Sequence, residues 1–378
     1  MSVEPHMSVE PPRLVPAAMA TVSDPVTTPP VTELSVAQAQ REFTPEGVYL
    51  NTAALALPPR GTVEAVRAAL ADWQVGAAAP AQYDSFVGES RTLYAGLVGV
   101  EPSTVSIGSN TSGLVGLIAA SLPDGVEVLT VLGEFTSLLF PFLAQSHRGV
   151  TVREVPLDEL VSSITDRTHL VAVSAAQSST GQLADLDGLA DAVEAGTKVL
   201  LDLTQAAGWL PVDASRYTWT VASGYKFLLA PRGTAFATST GSVAQEVVAH
   251  SAGWYAGADV WTSIYGSPLR LALDARRLDT SPAWYSWVGQ AVSLRLLTDV
   301  GVKDLHRHAT SLAAKVETAL GLPLSGSAII ALDTTPEVSA RIRERGIVSS
   351  QRAGRTRVSF HIHNTLDDAD ALLDALGG

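Results

Sequence analysis

Residues 220–238 read TVASGYKFLLAPRGTAFAT: a turn of small residues carries one cation, Lys226, and then runs into an apolar, strand-like segment. Upstream, residues 198–213 read KVLLDLTQAAGWLPVD, in which a buried-looking strand ends at Asp202 and Gln205 follows three places later. Taken alone, each residue is ordinarily structural, a lysine in a Gly/Ser turn being usually a solvated surface cation. The pair carries more than its members.

A lysine amine forms a Schiff base with an aldehyde cofactor. A carboxylate facing the ring nitrogen keeps a pyridinium protonated, so that the ring can absorb carbanion electrons. Asp202 and Lys226 suit those two roles, and the cofactor they suit is pyridoxal phosphate.

The rest of the chain has the size to house such a site. With 378 residues and 46% hydrophobic content it can bury a large core, and a major domain plus a smaller one is expected. A formal net charge of −13 with no basic stripe argues against nucleic-acid or anionic-membrane partners. Cysteine is absent, which excludes disulfides, thiolate metal sites and thiol nucleophiles. No apolar run is long enough to span a bilayer, and the N-terminal stretch lacks the charged and continuous apolar regions of a signal peptide, so a cytoplasmic location is expected. The near-duplicate MSVEPH/MSVEPP and the Pro-rich residues up to Val31 read as a flexible tail.

Helical spacing over ELSVAQAQREF (33–43) is followed by a short strand and loop in VYLNTAALALPP (48–59). GTVEAVRAALADWQVGA (61–77) reads as an amphipathic helix, AAAPAQYDSF (77–86) as a loop, and VGESRTLYAGLVGV (87–100) as a helix. From residue 104 strands and helices alternate as far as TKVLLDLT (197–204). Such alternation implies crossover units and a mostly parallel sheet with helices on both faces, an α/β fold whose ligands collect at the carboxyl ends of the strands.

Three loops at those ends carry polar residues. In IGSNTSG (107–113) the start of a helix makes a natural phosphate cradle, its bland alternative being an ordinary N-cap by Ser109, Asn110 or Thr111. In LGEFTSLL (132–139), Phe135 is either a face for a planar cofactor or, more commonly for such a residue, part of the core. In SAAQSSTGQ (174–182), Gln177 and Thr180 can offer hydrogen-bond donors to a ring oxygen or a substrate carboxylate.

The order SNTSG, GEF, SAAQSSTG, DLTQ and SGYK resembles the class V aminotransferase fold of pyridoxal-phosphate enzymes, the group containing cysteine desulfurases, isopenicillin N epimerase and kynureninase. The resemblance covers roughly residues 48 to 378. It implies fold type I, with a large domain over 60–250 and a smaller α+β C-terminal domain built, with dimer and substrate segments, from 32–59 and 251–378. It also implies a role for each matching residue. Lys226 forms the internal aldimine, Asp202 faces the ring nitrogen, Gln205 donates to the ring hydroxyl, and Phe135 stacks on the ring where desulfurases place a histidine. Asn110, Thr111, Ser223 and Tyr225 bind phosphate, Tyr225 standing where many relatives have histidine. Gln177 replaces an asparagine of many relatives.

RTRVSFHIHNT (355–365) resembles the family's R-x-S-x-x-x-[YH]-N-T element, so Arg357 would grip the substrate α-carboxylate with its bidentate fork. The turn at Thr280 and Ser281 would reach the neighbouring subunit's phosphate in a homodimer. Trp254, Tyr255, Trp284 and Trp287 are candidates for a substrate entrance or for plain packing. His361 and His363 alternate on an expected strand and so would share a face, though a metal site there lacks a third ligand.

Without a cysteine, a persulfide-forming desulfurase is excluded chemically. The expected reaction is β-elimination at a small amino acid, with cleavage of a carbon–sulfur bond, and the chain looks most like the ergothioneine-pathway carbon–sulfur lyases. Epimerisation and amino-group transfer start from the same chemistry. A binding or sensor protein that kept the pocket is the competing non-enzyme reading.

Overall fold

The computed structural model describes residues 33–239 and 243–377; the expected tail over 1–31 lies outside them. Seven strands form one sheet: β1 (Val105–Gly108), β2 (Glu127–Val131), β3 (Thr151–Val155), β4 (Thr168–Ser174), β5 (Lys198–Asp202), β6 (Trp219–Ser223) and β7 (Ala235–Ser239). Their spatial order is β1-β7-β6-β5-β4-β2-β3. Only β7 runs antiparallel to its neighbours, so the other six strands point one way and deliver their carboxyl ends to one edge.

The central strands read as unbroken apolar runs because both faces are covered. Leu129, Val171, Val173, Val199 and Leu201 enter one core, while the alternate residues Val128, Leu170, Ala172 and Leu200 enter the other. Helices α1 (Val36–Ala39), α2 (Arg60–Gln74) and α3 (Pro80–Val98) precede the sheet. The crossovers carry α4 (Thr111–Ala120), α5 (Thr136–Leu143) and α6 (Leu186–Glu194), and α7 (Val243–Glu246) follows β7.

After α8 (Trp284–Val300) and α9 (Val302–Ala319), the chain builds a small antiparallel sheet of order β8-β10-β9 from β8 (Ile329–Leu332), β9 (Ser350–Arg352) and β10 (Arg355–Ser359). Helices α10 (Pro336–Glu344) and α11 (Leu366–Leu376) cover it around Leu50, Val316, Ile330, Val358, Phe360 and Leu372. The fold is thus fold type I: a mostly parallel large sheet clothed in helices plus a small C-terminal sheet.

Local expectations differ from the structure in three places. The loop expected over 77–86 is helical from Pro80, which occupies the first turn of α3, where a missing N–H costs nothing. Tyr83 of this turn is buried and stacks on Trp284 of α8 at 5.7 Å. The strand expected near 48–51 reduces to two single bridges, Tyr49 to Val348 and Asn51 to Ser359, which tie that segment to the small-sheet region. The segment directly after Lys226 is not a strand; β7 begins only at Ala235.

Candidate active site

Strand ends β1, β2, β4, β5 and β6 surround a cavity of about 280 Å³ lined by Asn110, Thr111, Phe135, Asp202, Gln205, Ser223, Tyr225 and Lys226, with Ser112, Ser137, Ser174, Ser178, Thr204 and Arg232. Residues distant in sequence meet there because a parallel sheet brings every strand's last residue to the same edge.

Asp202 is the last residue of β5 and is 3% exposed. Its Oδ1 accepts the Thr204 N–H at 2.8 Å. Burial pushes its carboxyl up to about 6, with the nearby Glu134 adding to the rise while Thr204 and Lys226 oppose it.

Lys226 follows β6 on a turn whose geometry is locally enforced. A Cβ on Gly224 would lie 2.0 Å from Gln290 Oε1 and 2.1 Å from Thr234 Oγ1, so only glycine passes there. The lysine is 4% exposed, and its Nζ lies 5.2 Å from the Phe135 ring centroid and 5.7 Å from that of Tyr225. Burial lowers its amine to about 8; Asp202 pulls the other way, and Arg357, Arg352 and Arg232 reinforce the fall. A buried lysine of this kind keeps a usable fraction of neutral, nucleophilic amine near neutrality.

At the far end, Asn110 caps α4, its Oδ1 accepting the Gly113 N–H at 2.8 Å. The N-cap reading therefore holds for Asn110, which also lines the cavity. Thr111 Oγ1 lies 2.7 Å from Ser223 Oγ and 3.1 Å from Thr204 Oγ1, and Thr204 Oγ1 accepts the Ser223 N–H. The Arg232 guanidinium sits 4.4 Å from the centroid of the Tyr225 ring. Hydroxyls, a helix start and a cation thus converge where an anion would be held.

Two of the buried side-chain atoms that lack partners belong to expected site residues. Gln205 donates through Nε2 to Ala53 O (2.9 Å) and Ser178 Oγ (3.0 Å), which leaves Oε1 orphaned in the cavity wall. Arg357, on β10 and 1% exposed, donates through Nη1 to Ser178 O at 2.6 Å and leaves Nη2 orphaned. Buried orphans of this kind require an explanation, and a ligand supplies one. Burial and Arg352 lower the Arg357 guanidinium to about 10, so it remains a cation at neutral pH.

Other expected residues lie elsewhere. Gln177 is buried and donates to Glu134 Oε2 at 3.1 Å and Ser174 O at 3.3 Å, behind the cavity rather than in its lining. Thr180 donates to Gln182 Oε1 and lines a separate groove. Ser281 is exposed and does not line its own chain's cavity, while the Thr280 N–H donates to Ile107 O. Phe135 is 41% exposed at the cavity and does not enter the core. None of Trp254, Tyr255, Trp284 and Trp287 lines the cavity; Trp287 is buried edge-on against Phe236.

The strand expected through His361 and His363 ends at Ser359, which corrects the shared-face reading. Each imidazole instead hydrogen-bonds a different carbonyl, His361 that of Phe227 and His363 that of Tyr49. Burial drives the His361 imidazole down to about 3, so it is neutral in the folded protein.

Sequence reasoning passed over Glu134, Thr204, Ser178 and Arg232. Glu134 accepts four hydrogen bonds, from Phe135 N, Ser174 N, Ser174 Oγ and Gln177 Nε2. An acid between a strand end and an apolar helix was its available signal.

Comparison with known proteins agrees with this geometry. The family model for class V aminotransferases matches residues 48–340. The chain belongs to the class V aminotransferase family. An uncharacterized aminotransferase, YcbU, of Bacillus subtilis is 24% identical over 76% of this chain and 82% of its own length. Isopenicillin N epimerase of Streptomyces clavuligerus is 26% identical over 92% of this chain and 98% of its own. Among solved structures, cysteine desulfurase CsdA of Escherichia coli superposes with a TM-score of 0.77 at 22% identity, over 91% of this chain and 98% of its own, a likeness of fold.

Pyridoxal phosphate is the cofactor that this class V family and this donor set support. The buried Asp202 and the anion-holding end fit its ring nitrogen and its phosphate; Gln205 fits its ring hydroxyl as an acceptor, through the free Oε1, and not as the donor expected, because Nε2 is committed to Ala53 O and Ser178 Oγ. Among the described residues, no helix is long and apolar enough to cross a membrane.

Proposed function

We propose that this class V enzyme is a lyase that removes a sulfur-linked group from the β-carbon of an amino acid, acting as a cytoplasmic homodimer. The observation that carries this reading is the complete absence of cysteine beside an otherwise equipped site. A cysteine desulfurase needs a thiol to receive sulfur, and elimination needs none.

Bound pyridoxal phosphate supplies an electron sink for negative charge developing at Cα. The protein supplies the rest. Lys226 would hold the cofactor aldehyde and would serve as the base for the Cα proton; its lowered pKa makes the neutral amine available near neutrality. Asp202 would keep the ring nitrogen protonated and Gln205 would meet the ring hydroxyl. Phe135, which lines the cavity, would cover the ring face. Asn110, Thr111, Ser223 and Tyr225 hold phosphate, with Ser281 of a second copy completing that end. Arg357 binds the α-carboxylate through its free Nη2. Gln177 would act one step back, by holding Glu134 behind the cavity wall. The resemblance to ergothioneine-pathway lyases nominates a thioimidazole-bearing cysteine sulfoxide as substrate.

The relative from Streptomyces clavuligerus, matched over nearly its whole length, favours a second reading, epimerisation at Cα. Incubation of the purified protein with S-substituted cysteines separates the two: pyruvate and thiol are expected in equal amounts. Solvent deuterium at Cα with inverted configuration and no pyruvate would replace the lyase with the epimerase. Lys226→Ala is expected to lose the visible absorbance of the bound cofactor and to release no pyruvate.

A further inference from the structure

The loop after β4 leaves the large sheet and is seated on the small one. Ala176 bridges Leu183, the Gln177 N–H donates to Gln182 O at 2.8 Å, and the Gly181 N–H donates to Gln177 O at 2.8 Å, so the loop is closed on itself. A Cβ on Gly181, whose φ is 80°, would lie 2.0 Å from Ile329 O. The loop is therefore pressed against β8, the strand that pairs with β10 and so with Arg357. Backbone packing alone brings Ser178 and Arg357 together.

Of residues 177–182, Ser178 is the one that lines the cavity. Arg357 does not line it, and meets Ser178 instead: Nη1 donates to Ser178 O at 2.6 Å and to Ser178 Oγ at 3.3 Å. From the ring end, Gln205 Nε2 donates to the same Oγ at 3.0 Å. A hydroxyl oxygen has two lone pairs and one hydrogen. Here both lone pairs are taken, and the hydrogen has no acceptor among the described residues. Beside it, Arg357 Nη2 is buried and equally without a partner. Two free donors on touching residues, one of them cationic, match the two oxygens of a carboxylate.

We propose that Ser178 binds the substrate's α-carboxylate together with Arg357: its hydroxyl donates to one carboxylate oxygen, while its own oxygen holds Arg357 Nη1 and leaves Nη2 for the other. The inference rests on the reading of Arg357 as the carboxylate's cation, and adds the residue that both steadies it and faces the cavity. Gln177, expected at the substrate from the sequence, is committed to Glu134 and Ser174 O.

The test uses S-methylcysteine and S-methylcysteamine, which differ only in the α-carboxylate. Each reports binding to the holoenzyme through the visible absorbance of the cofactor, read by rapid mixing before turnover and at equal cofactor content. Ser178→Ala removes the hydroxyl but keeps the main-chain contact with Arg357. It is expected to raise the Kd of S-methylcysteine about tenfold, the yield of one hydrogen bond to a charged group. The Kd of S-methylcysteamine should change by less than about twofold, because Gln205 keeps Ala53 O. Ser178→Thr restores a hydroxyl and should return the S-methylcysteine value to within about threefold of native. An equal loss for both ligands would assign the hydroxyl to the cofactor and overturn the proposal, as would unchanged S-methylcysteine affinity in Ser178→Ala. Pyruvate release, followed in parallel, judges the lyase separately. The expected Kd pattern without any pyruvate leaves Ser178 in its role and sinks the lyase; pyruvate with unchanged Kd values does the reverse.

Discussion

Asp202 and Asp279 are the two aspartates that burial pushes up to about 6, and they are 3% and 1% exposed. Asp279 is answered within the chain. Arg91 of α3 donates to its Oδ2 at 2.6 Å, the Ile107 N–H donates to its Oδ1 at 2.8 Å, and Arg91 also reaches Val105 O. This pair rivets α3, β1 and the turn at 279–281 together. Asp202 receives the Thr204 N–H and otherwise faces the cavity. The cost of burying the two carboxylates is alike, but one is offset by the fold and the other is left for a ligand. That difference separates a structural ion pair from a site.

The comparison breaks first at Asp279. Asp279→Ala leaves Arg91 as an uncompensated buried charge, and a loss of about 3–5 kcal/mol is expected in urea unfolding. A loss below about 1 kcal/mol would mean that the pair does not rivet the scaffold. Asp202→Asn should show the opposite pattern. Activity should fall by about 10²–10³ through loss of charge stabilisation at the ring nitrogen, while unfolding free energy moves by less than about 1 kcal/mol. If the activity loss came with a stability loss of equal size, Asp202 would be a second Asp279.

Glu134 sharpens the contrast, being a third buried carboxylate with every approach taken. Glu134→Gln puts a donor where donors already point, so about 1–3 kcal/mol of stability should be lost by the same unfolding measurement. Rescue of that stability by a further Gln177→Leu substitution is not expected, because Ser174 and Phe135 still present their donors.

How much of this was legible in the sequence follows from the same distinction. The mostly parallel sheet could be read because both faces of β4 and β5 are buried, which writes uninterrupted apolar runs. Lys226, Asp202 and Gln205 could be read because they sit at fixed offsets within two such stretches. Glu134 was marked only by its place between a strand end and an apolar helix; its partners at 174 and 177 are brought to it by the pairing of β2 with β4. The pairing of Arg352 with Arg355 could not be read, because it depends on hairpin register rather than on spacing. The histidines misled for a related reason: alternation suggests a strand, but β10 ends at Ser359, and each ring turns to a carbonyl of another segment. Pro80 misled because proline, which signals a break inside a helix, is equally at home in its first turn.

The smallest effect tests whether Asp202 and Lys226 share an electrostatic environment that Asp279 does not enter. The neutral Lys226 amine is the form that captures an aldehyde, and burial, against the pull of Asp202, has lowered its pKa to about 8. In cofactor-free protein the rate of cofactor uptake, followed by visible absorbance, should rise about fivefold from pH 7 to pH 8 and less than about twofold from pH 8 to pH 9, as the neutral fraction saturates. Asp202 stabilises the protonated amine, so removing its charge in Asp202→Asn lowers the lysine's pKa further and moves the plateau to lower pH. Asp279 is not among the groups acting on Lys226, and Asp279→Asn should leave the plateau where it is. A plateau that shifts equally in both variants would show that the two aspartates act through a common change in packing, and the distinction drawn between them would fail.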